Sequence, residues 1–258
     1  MKLTVLTENT SNKEGIYAEH GLSLYIETGS IKLLFDMGQT DLFAKNAETL
    51  GIDLKAVDIA IISHGHYDHG GGLETFFKLN EKAPVYINQN AFGPHYNGTQ
   101  KYIGLDVSLK DNPRLIYTKD FFRISDSLCL FSYNEKERKN SFESFGLMKK
   151  SGNDFVPDDF CHEQYLLIEE NSKRIVISGC SHKGIIDIVD WTKPDVLVGG
   201  FHFSKMPLGD ELKSAAEKLN SYKTAYYTCH CTGTDQFNFM KNYIKELKYI
   251  SCGEKYSI

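Results

Sequence analysis

The segment His64-Gly65-His66-Tyr67-Asp68-His69 places three imidazoles and one carboxylate within six residues, directly after the apolar run VDIAII at residues 57–62. In an extended loop, side chains two positions apart point the same way, so His64 and His66 can bind one metal ion. Asp68 and His69 follow at a turn, where they can face a second ion. Imidazole and carboxylate ligands suit zinc, iron or manganese. The segment therefore predicts a metal site at the end of a buried strand, and a chance polar loop is the weaker interpretation.

Short apolar runs alternate with helical patterns along most of the chain. We predict strands at residues 3–6, 22–27, 32–35, 57–62, 85–87, 128–133, 165–168, 174–177, 196–198 and 225–227, with a turn at 28–30. Helices are predicted at 42–50, 70–79, 185–191, 210–219 and 236–247. The pattern loosens at about 91–160, and we expect an aromatic-rich insertion there within a single domain spanning 1–258. This order predicts an α/β fold with a layered sheet core and helices outside.

Three later histidines also lie just past strand-like runs. His182 follows RIVISGCS, His202 follows LVGGF and His230 follows AYYTC. Open sheets place functional groups at strand ends, so the repeated pattern indicates that these histidines serve one site shared with the first segment. A structural role is the alternative for each of them.

At these residues the sequence resembles the metallo-β-lactamase superfamily, whose signature is HxHxDH after a core strand. The resemblance implies an αββα sandwich with the metal site at one edge. The stretch LFDMG is similar to the superfamily's early strand ending in aspartate, which implies that Asp36 supports the metal loop without binding metal. The metal ligands that the resemblance implies, or that we expect beside it, are His64, His66, Asp68, His69, His182 and His230.

The chain departs from the common pattern of that superfamily at two positions. Gly179-Cys180 stands where many relatives have Gly-Asp, and Cys180 could be a thiolate ligand or a small buried residue. Asn88 stands where many relatives have a histidine, and asparagine is a poor ligand for transition metals. His162 or Glu163 could replace this ligand. We nevertheless expect His162, like His20 and His95, to be solvated or structural. The departures leave open whether one ion or two are bound.

The resemblance implies a metal-dependent hydrolase that uses a metal-activated water on a small phosphorylated or ester metabolite. Asp68 would orient the water or accept its proton, and His202 would help to protonate the leaving group. Zinc is the expected cofactor, with manganese or iron as alternatives.

Two other functions stay open. The motifs GCSH, GGFH and HCTG resemble a branch of the superfamily in which some members are described as dihydropterin-ribofuranosylaminobenzene-phosphate synthases. The alternative is therefore a synthase that condenses a dihydropterin with an aminobenzene riboside phosphate, with aromatic residues stacking the pterin. The third reading is a non-catalytic, metal-dependent ligand-binding module.

Composition argues against several other classes of protein. A net charge of -5 and a pI near 6.0 give no electrostatic reason to expect nucleic acid or an anionic membrane as a partner. No apolar stretch approaches the length of a membrane span, and the first ten residues do not resemble a signal peptide. The six scattered cysteines do not form a disulfide framework. We expect a cytoplasmic protein with reduced cysteines and a small-molecule substrate; a homo-oligomer is open.

Overall fold

The computed structural model describes residues 1–29, 31–140 and 144–258. The first nine strands in chain order are β1 (Lys2–Thr7), β2 (Ser23–Thr28), β3 (Ile31–Phe35), β4 (Ile59–Ile62), β5 (Val85–Asn88), β6 (His95–Asn97), β7 (Lys101–Tyr102), β8 (Leu115–Thr118) and β9 (Phe121–Arg123). The next nine are β10 (Leu128–Phe131), β11 (Leu147–Ser151), β12 (Asp154–Pro157), β13 (Tyr165–Glu170), β14 (Lys173–Ile177), β15 (Val196–Gly199), β16 (Ala225–Thr228), β17 (Leu247–Tyr249) and β18 (Lys255–Ser257).

The helices are short. In chain order they are α1 (Leu42–Thr49), α2 (Tyr67–Gly70), α3 (Leu73–Leu79), α4 (Ile185–Thr192), α5 (Asp210–Asn220) and α6 (Thr234–Met240). Single 3-10 turns occur at Leu54–Ala56, Val107–Leu109 and His230–Thr232. In the part of the chain that the structure describes, no helix has the length and apolar character needed to cross a membrane.

The chain divides into two compact units. Unit 1 consists of Met1–Lys119, Gly146–Gln164 and Ser251–Ile258, and unit 2 consists of Asp120–Phe145 and Tyr165–Ile250. Unit 1 contains a seven-stranded sheet in the order β18-β1-β2-β3-β4-β5-β8 and a four-stranded sheet in the order β12-β11-β6-β7. Unit 2 contains a seven-stranded sheet in the order β17-β16-β15-β14-β13-β10-β9.

The large sheet of unit 1 changes from antiparallel to parallel pairing at its centre. β1, β2 and β3 are antiparallel neighbours, whereas β3, β4, β5 and β8 pair in parallel. The last three residues of β4 are fully buried, as expected for a strand covered on both faces. Phe43 of α1 and Phe76 of α3 pack into the same core as Leu34 and Ile62. Because β3 and β4 are parallel, the loops after them leave the same edge of the sheet.

The sheet of unit 2 follows the same plan. β14, β15, β16 and β17 are parallel, with α4 and α5 connecting successive strands. Ile188 of α4 and Leu212 of α5 join Leu197 and Tyr226 in the core of this unit. The loops after β14, β15 and β16 therefore emerge side by side at the carboxyl edge of this sheet.

Two predicted helices differ from the structure. The helix predicted at 70–79 is divided into α2 and α3, and the helix predicted at 236–247 ends at Met240 because the chain then returns to form β17 beside β16. Within the region predicted as an insertion, about 91–160, β8 pairs with β5 and β10 pairs with β13, and the insertion stays a prediction. Ser30, in the turn predicted at 28–30, lies outside the described residues.

Candidate metal centre

A buried carboxylate anchors the loop that follows β4. Asp36, directly after β3, accepts hydrogen bonds from the backbone N–H and the hydroxyl of Ser63 and from Nδ1 of His69, each at 2.7 Å. Because the Ser63 hydroxyl donates its proton to Asp36, it accepts from Nδ1 of His64 at 2.8 Å. Nδ1 of each histidine therefore carries a proton, so the neutral form of each ring has its lone pair on Nε2, the atom that can bind a metal ion.

The side chains of the HxHxDH segment lie together in unit 1. The ring of His64 is 4.5 Å from that of His66 and 4.1 Å from that of His69, measured between centroids, and all three rings are buried. Burial holds the pKa of His66 well below its usual value, so its ring is neutral and can act as a ligand. Asp68 lies in α2, with Oδ2 3.8 Å from Nε2 of His69 and 3.3 Å from Nε2 of the exposed His20.

This donor set fits a transition-metal ion. Three imidazoles and a carboxylate are ligands that zinc accepts, and the hydrogen bonds of Asp36 are of the kind that orient ligating histidines. Asp36 has φ of 58°, an uncommon value for a non-glycine residue, and its burial with three hydrogen bonds accounts for that conformation.

A second polar cluster in unit 1 is one that the sequence reasoning missed. His95 Nδ1 donates to Oδ2 of Asp158 at 2.8 Å, and His162 Nε2 lies 3.3 Å from the same oxygen. Burial alone would raise the pKa of Asp158, but the hydrogen bonds from His162 and His95 hold that pKa far below its usual range. His95 and His162 are both buried, so of the two expected environments the structure excludes the solvated one.

Two further unit 1 positions considered from sequence, Asn88 and His20, have ordinary surroundings. Asn88 is buried at the end of β5, and its Oδ1 accepts a hydrogen bond from the N–H of Asn90 at 2.9 Å. The His20 side chain is 59% exposed. Of the two environments expected for His20, solvated or structural, the structure shows the solvated one.

Unit 2 brings a separate set of groups together at the carboxyl edge of its sheet. A nitrogen of His202 and the sulfurs of Cys180 and Cys231 lie within 4.8 Å of one another, and the His182 ring centroid is 4.2 Å from that of His202. Burial alone would raise the pKa of Cys231, but interactions with Cys180 and His202 and the nearby His230 hold it well below its usual value. None of the six cysteines takes part in a disulfide in the described structure.

Left-handed backbone conformations mark three of these loops. Ser181, which precedes His182, has φ of 61°, His202 has φ of 57° and His230 has φ of 50°. Such values are uncommon for residues other than glycine and cluster at functional sites, where packing enforces them. The Thr232 hydroxyl, which accepts from the N–H of Phe201 at 2.9 Å, ties the loop after β15 to the loop after β16.

Lys183 is a further unit 2 residue that sequence reasoning passed over. Its side chain is fully buried, and Nζ donates to the carbonyl of Ser132 at 2.8 Å and lies 5.6 Å from the ring centre of Tyr165. A lysine is almost never fully buried without a partner. In the sequence, its position directly after His182 could have indicated that Lys183 lies near the predicted site.

The chain belongs to the metallo-β-lactamase superfamily, whose family model matches residues 16–224. It is similar to a crystal structure described as Tm1679, a metal-dependent hydrolase of the β-lactamase superfamily, with a TM-score of 0.83, 29% identity and coverage of 100% of this chain and 99% of that one. Zn(2+)-bound PqqB from Methylobacterium extorquens shares the fold, with a TM-score of 0.62, 11% identity and full coverage (100%) of both chains. The predicted α/β metallo-β-lactamase fold is confirmed.

Two relatives come from Methanocaldococcus jannaschii. An uncharacterized protein is 29% identical over 242 residues, 90% of each chain. A protein named 7,8-dihydropterin-6-methyl-4-(β-D-ribofuranosyl)-aminobenzene-5'-phosphate synthase is 28% identical over 286 aligned positions, which cover 98% of this chain and 95% of that one. The predicted resemblance to this branch of the superfamily is thereby confirmed.

The predicted site residues are distributed over both units. Unit 1 holds His64, His66, Asp68 and His69 together, with Asp36 beneath them, and unit 2 holds His182, His202 and His230 on neighbouring loops. The superfamily is metal-dependent, and both units carry clusters of metal-binding side chains. The role of each residue stays a prediction.

Proposed function

We propose that this chain is a metal-dependent hydrolase that acts on a small phosphorylated or ester metabolite. The observation that carries the proposal is the hydrogen-bonded chain from Asp36 through Ser63 to His64, and from Asp36 to His69. It presents two Nε2 lone pairs from one rigid loop, and a loop with a purely structural role does not need that orientation.

A zinc, manganese or iron ion, which His64, His66 and His69 would help to hold, would supply the Lewis acid that activates water for attack. Asp68 has a side chain that is 12% exposed and lies beside His69, where its carboxylate can orient the water or accept its proton. His202 is half-buried and is our candidate for holding the substrate and protonating the leaving group.

The lining of a cleft in unit 1 favours a negatively charged substrate. It encloses about 440 Å³ and is lined by Asn90, His95, Lys149, Lys150 and His162, among others. Burial lowers the pKa of Lys149, but its hydrogen bond and ion pair with Asp159 outweigh that effect and raise the pKa, so the ammonium stays charged. Lys149 is paired with Asp159, which also lines the cleft, and Lys150 adds a further positive charge, so the lining suits a phosphate or carboxylate group.

The second candidate is a synthase that joins a dihydropterin to an aminobenzene riboside phosphate. It is favoured by the relative that bears a synthase name and aligns with 98% of this chain. The aromatic residues expected to stack a pterin largely contact one another: Tyr96 packs edge-on to Tyr102 and Phe155, and Phe131 packs on Tyr165. Because these rings pack on one another, support for this candidate comes from the relative.

Purified protein prepared without chelator or nickel affinity resin, loaded with zinc or manganese, tests these candidates. We expect turnover of at least one member of a phosphoester, thioester and lactone panel, abolished in His64→Ala and retained in the control Asp106→Asn, which changes an exposed carboxylate outside the loop. Absence of turnover over the whole panel contradicts the hydrolase. Product formed from a dihydropterin diphosphate and an aminobenzene riboside phosphate would establish the synthase. Ligand binding with neither reaction would establish the non-catalytic module.

A further inference from the structure

The proposed chemistry does not use the cluster formed by His95, Asp158 and His162. All three side chains are nine-tenths or more buried, and Asp158 joins the two histidines through one carboxylate oxygen. Its other oxygen accepts from the N–H of Phe160 at 2.8 Å. Burying a carboxylate and two imidazoles costs free energy unless these groups are paired and hydrogen-bonded. The groups that the cluster contacts therefore indicate its role.

The cluster is hydrogen-bonded to the loop that carries the predicted metal ligands His64 and His66. The backbone N–H of Gly65, the residue between His64 and His66, donates to Nδ1 of His162 at 2.9 Å. On its other side Gly65 lies against the chain at Ala91: a Cβ atom at position 65 would be 2.1 Å from the carbonyl oxygen of Ala91. The peptide between the two histidines is therefore held from both sides.

The direction of these hydrogen bonds fixes the proton of His162. Because Nδ1 accepts from Gly65, the proton of the neutral ring lies on Nε2, which is 3.3 Å from Oδ2 of Asp158. His66, His95, Asp158 and His162 are close enough for a cation to be considered, with ligand atoms within 4.8 Å of one another. A ring whose Nδ1 accepts and whose Nε2 carries the proton has no lone pair for such an ion, so the geometry favours a supporting role for His162 behind Gly65.

We propose that His162, held by Asp158 and His95, is a positioning residue that fixes the Gly65 peptide and thereby the relative orientation of His64 and His66. The inference rests on metal binding by this loop, as in the proposed function, and is independent of the reaction catalysed. Hydrogen-bond partners behind the ligands of a metal site typically change its affinity by about 10- to 100-fold.

The test compares two replacements of His162 that separate packing from hydrogen bonding. His162→Phe keeps a planar ring but cannot accept from Gly65. His162→Gln keeps both functions, because its amide oxygen can accept from Gly65 while its NH₂ donates to Asp158. Asp158→Asn is a second variant, because its NH₂ group must face either the two imidazoles or the N–H of Phe160, and one of these interactions is then lost. It serves if His162→Phe does not fold.

Zinc affinity is measured by competition with a chromophoric chelator, and the apo-proteins are compared by thermal unfolding in EDTA. We expect His162→Phe and Asp158→Asn to bind zinc about 10- to 100-fold more weakly, with the same number of equivalents at saturation, and His162→Gln to recover most of the affinity. Wild-type affinity in His162→Phe overturns the proposal. So does the loss of one equivalent at saturation in any of the three variants, since that would identify a ligand. Absence of turnover contradicts the hydrolase proposal alone, because this readout is metal affinity.

Discussion

The carboxylate of Asp36 accepts a hydrogen bond from Nδ1 of His69 at 2.7 Å, and both side chains are fully buried. The bond joins the end of β3 to the helical turn α2, which follows β4. It sets the tautomer of His69, so that Nε2 is left for a metal ion. One buried carboxylate thus connects the fold of the sheet to the chemistry of the loop.

Replacing Asp36 by asparagine should weaken metal binding. Three donors converge on the carboxylate, and an amide offers a single acceptor oxygen and brings a competing NH₂ group. We expect Asp36→Asn to lower zinc affinity by about 10- to 100-fold in a chelator competition assay. The matched control is Asp106→Asn, an exposed carboxylate that accepts from the N–H of Ser108 outside the loop. Equal affinities for the two variants would contradict this role of Asp36.

Ser63 should act through the same network. Ser63→Ala removes the hydroxyl that connects Asp36 to His64, and we expect about a 10-fold loss of zinc affinity. Because Ser63 donates to Asp36, the double variant should lose less than the sum of the two single losses in free energy. Strict additivity in this double-mutant cycle would mean that the two residues act independently.

The sequence predicted the parts of the site whose residues are close in the chain or follow strands. His64, His66, Asp68 and His69 are contiguous, and Asp36 follows a strand-like run. His95 and Asp158 are 63 residues apart and meet only through the small sheet, in which β6 and β12 both pair with β11. The local pattern of apolar residues does not predict such pairing, because the short strands of the small sheet carry few alternating apolar residues.

The same limit applies in unit 2. Cys231 donates to the carbonyl oxygen of Cys180 at 3.4 Å across 51 residues, and no spacing rule predicts that contact. The parallel order of β14, β15 and β16 produces it, and that order becomes visible only in the folded sheet. Strand ends were therefore predictable, whereas the side chains that meet across them were not.

The packing of Gly65 leads to a prediction about the loop itself. Gly65→Ala places a methyl group against the backbone of Ala91, which cannot move aside easily, and we expect loss of most zinc binding. Gly70→Ala is the control, because its methyl group meets the flexible end of Leu105 instead. Isothermal titration with zinc compares them, and comparable affinities would show that the loop tolerates displacement.

Cys252 should make stability depend on alkaline pH. Burial raises the pKa of this thiol to about 12, and its sulfur accepts from the N–H of Glu8 at 3.0 Å. In the unfolded chain the thiol ionises near about 8.5, so above that pH the unfolded state binds fewer protons than the folded state and stability falls. The contribution is complete below about pH 8.5 and declines up to pH 12, reaching about 2 kcal/mol lost near pH 10.

The measurement is urea unfolding from pH 8 to pH 10.5. Cys252→Ala should be less stable than the wild type at pH 8, because it leaves a cavity, but its stability should fall less steeply with pH. Tyr25 and Tyr226, whose pKa values are also raised by burial, contribute equally to both proteins. Parallel slopes for the two proteins would contradict the assignment to Cys252.

His182, His202 and His230 can be separated into ligands and catalytic groups by measuring metal content and turnover on the same samples. From the sequence, His182→Ala and His230→Ala should each lower the zinc content, whereas His202→Ala should keep its zinc and lose about 10²- to 10⁴-fold in turnover, as expected for a proton-transferring group. The His182 and His202 rings are 4.2 Å apart between centroids, so replacing one can displace the other. The fold of each apo-protein is therefore first checked by circular dichroism. Loss of zinc in His202→Ala would make His202 a ligand, and full zinc content in His182→Ala would remove His182 from the ligand set.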